Sequence, residues 1–156
     1  TLHIIDEIRL FSSNTQEMVS ELRTRYPHSK LWVYPDPAGR QRKTSANGAT
    51  DINILANAGF VVKAPRSHPP VRDRINAVNS RLCDSLGNIH LLVDPRAKYT
   101  IEGLERQQYK EGTSQPDKSS GYDHMNDAIG YMVSYLFPVT REMPEQTFER
   151  WGHRTA

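Results

Sequence analysis

The chain has 156 residues with 20 Lys+Arg against 18 Asp+Glu, a net charge of +2, enough for one domain with a single core and too short to expect two. So small a net charge excludes neither nucleic acid nor protein as a partner, whereas the lone Cys83 excludes an intrachain disulfide and a cysteine-based zinc cage and reads as a packed helix residue rather than a nucleophile. No apolar run is long enough to span a membrane, and the N-terminus lacks the basic flank and apolar core of a signal peptide, so the expectation is a soluble intracellular chain.

Residues Leu2 to Leu10 read as a strand entered without a preceding turn or cap, as if the chain began partway through a domain. Asn14 and Glu17 have the spacing of a capping box, and Met18, Val19 and Leu22 place an apolar stripe on the helix that follows, which Pro27 ends. Lys30 to Tyr34 is a short strand broken by Pro35-Asp36-Pro37-Ala38-Gly39. Asp36 therefore stands at the carboxyl end of a strand, where open α/β sheets place their ligands. The alternative is a turn former between two prolines.

Residues 40 to 50 read as a polar loop carrying Arg40, Arg42 and Lys43. Asp51 to Ala58 is a short helix with Gly59 as its left-handed stop, followed by a strand over Phe60 to Ala64. A longer helix puts Val71, Ile75, Val78 and Leu82 on one face, closed by Gly87, and Ile89 to Val93 is the next strand, ended by Asp94-Pro95. Tyr99 to Tyr109 reads as a helix in which Gly103 is unfavourable, with Ile101, Leu104 and Gln108 inward; residues 111 to 120 form a polar loop. The last helix runs from Asp123 to Phe137 with Met125, Ile129, Met132, Val133 and Leu136 spaced to pack on a sheet, and Pro138 ends it. Strands alternating with helices predict an α/β fold with a largely parallel sheet over residues 1–138, and a tail over 139–156.

Metal-capable side chains concentrate at the start of that last helix. Asp123 and Asp127 are four apart, His124 and Asp127 three apart, so a helix brings each pair onto neighbouring surface, and the helix amino terminus tolerates the negative charge. Asp123 is equally readable as an ordinary N-cap, and Asp127 as a solvated first-turn residue. Taken with Asp36, these acids supply hard oxygen ligands from separated elements, which suit Mg²⁺ or Mn²⁺. Two such ions about 3.5–4 Å apart activate water and stabilise the leaving oxygen of a phosphodiester. Asp6 and Glu7 read as structural, Asp94 as a strand-ending turn and Asp51 as a first-turn helix residue. The basic residues Arg40, Arg42, Lys43, Arg66, Arg72, Arg74 and Arg81 either contact phosphates or lie on solvated faces. Neither a P-loop nor a Gly-x-Ser-x-Gly elbow is present.

The segments Leu2 to Ile8, Asn14 to Tyr26, Val33-Tyr34-Pro35-Asp36-Pro37-Ala38-Gly39, Ala58-Gly59-Phe60 and Tyr122 to Tyr131 resemble, in order, the nuclease domain of the large terminase subunit of tailed bacteriophages, nearest to the headful-packaging type. The resemblance runs almost to Phe137. It implies an RNase H-like (RuvC-like) mixed sheet flanked by helices, and a metal-dependent endonuclease that cuts concatemeric double-stranded DNA to begin and end packaging. It implies catalytic Asp36, Asp127 and His124; Asp36, Asp127 and Asp123 as ligands of Mg²⁺ or Mn²⁺; and phosphate contacts from Arg40, Arg42, Lys43, Lys63 and Arg66. The implied partners are DNA, the ATPase domain of the same polypeptide, the portal protein and the small terminase subunit, met in the host cytoplasm during virus assembly. The family's first catalytic aspartate belongs to a strand upstream of the one that opens this chain. Asp6 does not take its place, so the expectation is a chain weakly active or inactive alone. The rival readings are a catalytically incomplete DNA- or portal-docking module of the same fold, and another RNase H-like enzyme such as a resolvase or transposase.

Overall fold

The structure is a computed structural model that describes residues 1–41 and 50–139. The sequence expectations for Arg42, Lys43 and the tail beyond Val139 lie outside those residues. The described residues form four short strands and five α-helices, alternating up to α4 and α5, a mixed α/β arrangement. Strand β1 (Leu2–Ile4) pairs in parallel with β4 (Leu91–Val93), and β2 (Trp32–Val33) pairs in parallel with β3 (Val61–Val62). Parallel neighbours need long crossovers, and α2 (Asp51–Asn57) lies in the one between β2 and β3. The described residues thus form two two-stranded parallel sheets.

The opening strand is shorter than its sequence suggests because its acids leave the extended path. Asp6 accepts from Arg25 Nη1 and from the Tyr26 hydroxyl, both at 3.0 Å. Arg25 first, then the Glu7 backbone amide and Tyr26, hold the Asp6 carboxyl below its usual range. Glu7 reaches across the fold to accept from the backbone amides of Tyr99 (2.9 Å) and Thr100 (2.8 Å), at the start of α4 (Lys98–Arg106). That helix has no side-chain cap of its own, so Glu7 satisfies donors that would otherwise be orphaned.

The helix α1 (Thr15–Arg25) begins with the expected capping box: Asn14 accepts from the Glu17 amide at 3.0 Å, and Glu17 accepts from the Asn14 amide at 3.1 Å. Helix α2 ends at Gly59, whose φ of +81° is the left-handed stop its sequence predicts. Arg23 of α1 fastens the two together by donating to Ala58 O at 2.7 Å while lying over the Phe60 ring.

The main core sits where α3 (Val71–Leu82) and α5 (Asp123–Leu136) cover the β1–β4 pair. It consists of Ala77, Val78, Leu91, Ile129 and Val133, flanked by Leu2, Ile4, Leu82, Leu104 and Met132. Full burial of a side chain such as Val133 contributes roughly 1.5–3 kcal/mol. Two expectations change here. Helix α3 buries Arg74, Ala77 and Val78, so Arg74 belongs to the interior rather than to a phosphate-facing or solvated surface. Cys83 is exposed just past the end of α3, its thiol 3.6 Å from Asp84 O, rather than packed within the helix.

Gly103 has a positive reason to be in α4. A Cβ there would stand 3.1 Å from Tyr122 O and 3.2 Å from Asn126 Oδ1, so the absent side chain lets α4 touch the start of α5. Asn126 Nδ2 donates to Gly103 O at 2.8 Å across this contact. On the other side of α5, the Tyr135 ring packs on Tyr34, just beyond β2, with ring centroids 5.4 Å apart. No helix among the described residues is long and apolar enough to cross a membrane.

Candidate active site

The start of α5 breaks the usual capping rule. Its N-cap is Tyr122, which offers no side-chain hydrogen bond, so Asp123 is a first-turn residue rather than the cap. Asp123 is buried, and its Oδ1 has no hydrogen-bond partner. A carboxylate taken out of water without full compensation is costly, which marks this position as something other than a generic helix start. Asp127, one turn on, is half-buried and pairs through Oδ1 with Arg74 Nη1 at 2.8 Å. Both acids also approach the Lys118 ammonium, at 3.6 Å from Asp123 Oδ2 and 3.8 Å from Asp127 Oδ2.

Arg74 holds its place through shape as well as charge. Its guanidinium lies 4.4 Å from the centre of the Tyr131 ring, and its stem runs past Gly130, where a Cβ would be 3.6 Å from Arg74 Cβ. A cleft of about 220 Å³ opens beside it between α3, α5 and the segment after α4, with Val78, Leu82 and Leu104 as its apolar wall. Arg74 Nε, Gln107 Oε1 and Asn126 Oδ1 are buried without partners, like Asp123 Oδ1, and all four residues line this cleft.

Asp36 approaches the same region from β2. Its carboxylate caps the 3₁₀ turn Pro37–Arg40 by accepting from the Ala38 amide at 2.9 Å, and its Oδ1 lies 3.4 Å from His68 Nδ1. The turn-forming role is therefore real. So is a second one: burial, and then a hydrogen bond with Asp36, push the Tyr131 hydroxyl up to about 12. Arg74 joins Tyr131 to Asp127 on α5, and Asp36 lies close enough to Tyr131 to raise its hydroxyl.

His124 is exposed, whereas Asp123 is buried and Asp127 half-buried. Among the described residues, no group of three or more His, Cys, Asp or Glu side chains is gathered as a metal cage. The donor chemistry nevertheless suits one hard cation. Two carboxylates converge on a point already held by an ammonium, and one of them keeps a buried oxygen unpartnered. Asp36 joins them through Tyr131 and Arg74 rather than directly.

Comparison of the chain with protein-family models, with curated proteins and with solved structures finds no match. The chemistry has to be read from the residues themselves.

Of the expected phosphate contacts, Lys63 and Arg66 are exposed, whereas Arg40 spends its guanidinium on the backbone, donating to Pro65 O and to Ala64 O (3.0 Å). Tyr131, Lys118 and His68 are contributors that the sequence did not single out, and Arg74 was expected on a phosphate-facing or solvated surface rather than in the interior. One signal was available for Arg74: it lies three residues after Val71 and three and four before Ala77 and Val78, on the apolar stripe itself.

Proposed function

We propose that this chain is the endonuclease domain of a viral DNA-packaging terminase large subunit, RNase H-like in fold, which cuts concatemeric double-stranded DNA to start and end packaging. The observation that carries this reading is the pair of carboxylates on the first turns of α5, Asp127 held by Arg74 and Asp123 buried with an unpartnered oxygen, both approached by Lys118. The ordered sequence resemblance across the same segments supports it. Asp36, Asp123 and Asp127 are the residues that would hold Mg²⁺ or Mn²⁺, with room in the family pattern for two ions. Bound there, such ions would supply Lewis acidity to activate water and stabilise the leaving oxygen of a phosphodiester.

The chain's own residues have separable tasks in this reading. Arg74 fixes the orientation of Asp127 by holding one oxygen, leaving the other for a cation. Tyr131, protonated well above neutral pH, keeps its hydroxyl available to Asp36. His124 faces solvent on the first turn of α5, where it is available to substrate for proton transfer. Lys63 and Arg66 grip phosphates without reading sequence, an attachment that weakens steeply with salt. Arg40 shapes the loop that carries Arg66. The ATPase domain, the portal and the small subunit are the partners of this reading, in the host cytoplasm.

The test is plasmid cleavage in Mn²⁺ by the full-length protein that carries this chain. Cleavage is expected, and Asp36→Asn or Asp127→Asn is expected to reduce it to background; undiminished cutting by both variants rejects the site. A second reading, a docking module that keeps the fold without the chemistry, is favoured by the pairing of Asp127 and Asp123 with Arg74 and Lys118. DNA binding that persists with no Mn²⁺ binding by calorimetry selects it.

A further inference from the structure

The two α5 carboxylates divide their oxygens in the same way. Asp127 gives Oδ1 to Arg74 at 2.8 Å and turns Oδ2 toward Lys118; Asp123 keeps Oδ1 buried without a partner and turns Oδ2 toward the same ammonium. Lys118 Nζ, 3.6 Å and 3.8 Å from the two Oδ2 atoms, therefore faces both carboxylates at once. The two basic partners differ in how firmly they are held. Arg74 is packed against Tyr131 and only 8% of its side chain is exposed, whereas that of Lys118 is 65% exposed and stands on the segment between α4 and α5. The Asp123 side chain beneath it is only 7% exposed.

A nearly buried carboxylate beside a second one needs a positive charge nearby whether or not a metal is bound. A lysine on a flexible stem meets that need at little energetic gain, because exposed ion pairs are weak, and it leaves by rotation about its own side chain. We propose that Lys118 is an internal counter-ion that occupies the cation position between Asp123 and Asp127 and withdraws when a divalent ion binds, so that it sets the cation affinity of the site. The proposal rests on the metal-dependent reading above and adds a residue that competes with the metal. Arg74 does not compete, because its bond to Asp127 uses the other oxygen.

The experiment measures Mn²⁺ binding to the purified 156-residue chain from the free-ion signal in electron paramagnetic resonance, with no DNA and no turnover. Lys118→Gln is expected to bind Mn²⁺ about two- to fivefold more tightly than the unaltered chain, the scale on which an exposed ion pair competes. Lys118→Arg, which keeps the charge, is expected not to tighten binding, and Asp123→Asn added to Lys118→Gln is expected to cancel the gain. Urea unfolding in EDTA checks that each variant folds. Equal Mn²⁺ affinity for Lys118→Gln and the unaltered chain overturns the counter-ion role and leaves the metal reading standing. Absence of Mn²⁺ binding in both overturns the metal reading and the counter-ion role together. A gain in Lys118→Gln that survives Asp123→Asn places the competing cation elsewhere and overturns the proposal alone.

Discussion

The amino ends of α1 and α5 follow opposite rules. At α1, Asn14 and Glu17 satisfy each other's backbone amides in a reciprocal box on an exposed surface, and the helix buries no residue completely. At α5 there is no side-chain cap, yet Asp123 is buried with an unpartnered oxygen, and Asp127 is bonded to a guanidinium 53 residues away in sequence. The first end is built for stability by local means. The second departs from local consistency, and such departures concentrate at functional sites. Other acids of the chain resemble the first type: Asp84 is held below the usual carboxylate range by His90 and then Asn88, and Asp94 by Arg96.

The largest effect that would sharpen this contrast is expected at Arg74. Replacing it by Met leaves Asp127 without its guanidinium and removes the ring contact to Tyr131. A loss of about 2–3 kcal/mol in urea unfolding is expected, below the range for a fully buried pair because the Asp127 side chain is 33% exposed. A loss no larger than that of an ordinary surface substitution would mean that the contact is not structural.

Tyr131 gives a pH test. Its folded-state value near 12 lies above the ordinary 10.0, so the native chain holds this proton more tightly than the unfolded one. Its contribution is therefore fully present below about pH 10 and lost as pH rises toward about 12, at most about 1–2 kcal/mol once its partial exposure is allowed for. Urea midpoints followed from about pH 9 upward are expected to fall less steeply in Tyr131→Phe. Tyr26, raised by burial and by Asp6, keeps its own part of the slope in that variant.

At α1, Asn14→Ala is expected to cost about 1 kcal/mol by thermal or urea unfolding, the usual value of a lost cap, with no effect on Mn²⁺ binding. The smallest stability effect is expected at the other end. Asp123→Asn keeps the shape and removes the buried charge together with a weak pair to an exposed lysine, so stability should move by no more than about 0.5–1 kcal/mol. Mn²⁺ binding should nevertheless weaken. If Asp123→Asn destabilises as much as Arg74→Met, the two helix ends do not differ as described.

Much of the framework was legible in the chain. The Asn14–Glu17 box, the stop at Gly59 and the approximate bounds of all five helices are local features, decided by side chains a few residues apart. Gly103 was legible only as a weakness, because the chain it touches at Tyr122 and Asn126 is remote in sequence. For α3 the periodicity named Val71, Ile75, Val78 and Leu82, and the structure turned the buried face toward Arg74 and Ala77. Arg74 reaches the interior because Gly130 leaves room for its stem and Asp127 and Tyr131 receive its head.

The candidate site divides along the same line. Sequence alone placed two carboxylates one turn apart on α5 and a third at the end of β2, since helical spacing and strand-ending turns are short-range properties. Which of their oxygens are free, that Arg74 joins Tyr131 to Asp127, that His124 is exposed, and that Lys118 approaches both acids of α5 were decided only by the tertiary structure. Charge pairing and desolvation depend on atoms brought within a few ångströms by the whole fold, and no spacing along the chain encodes that distance.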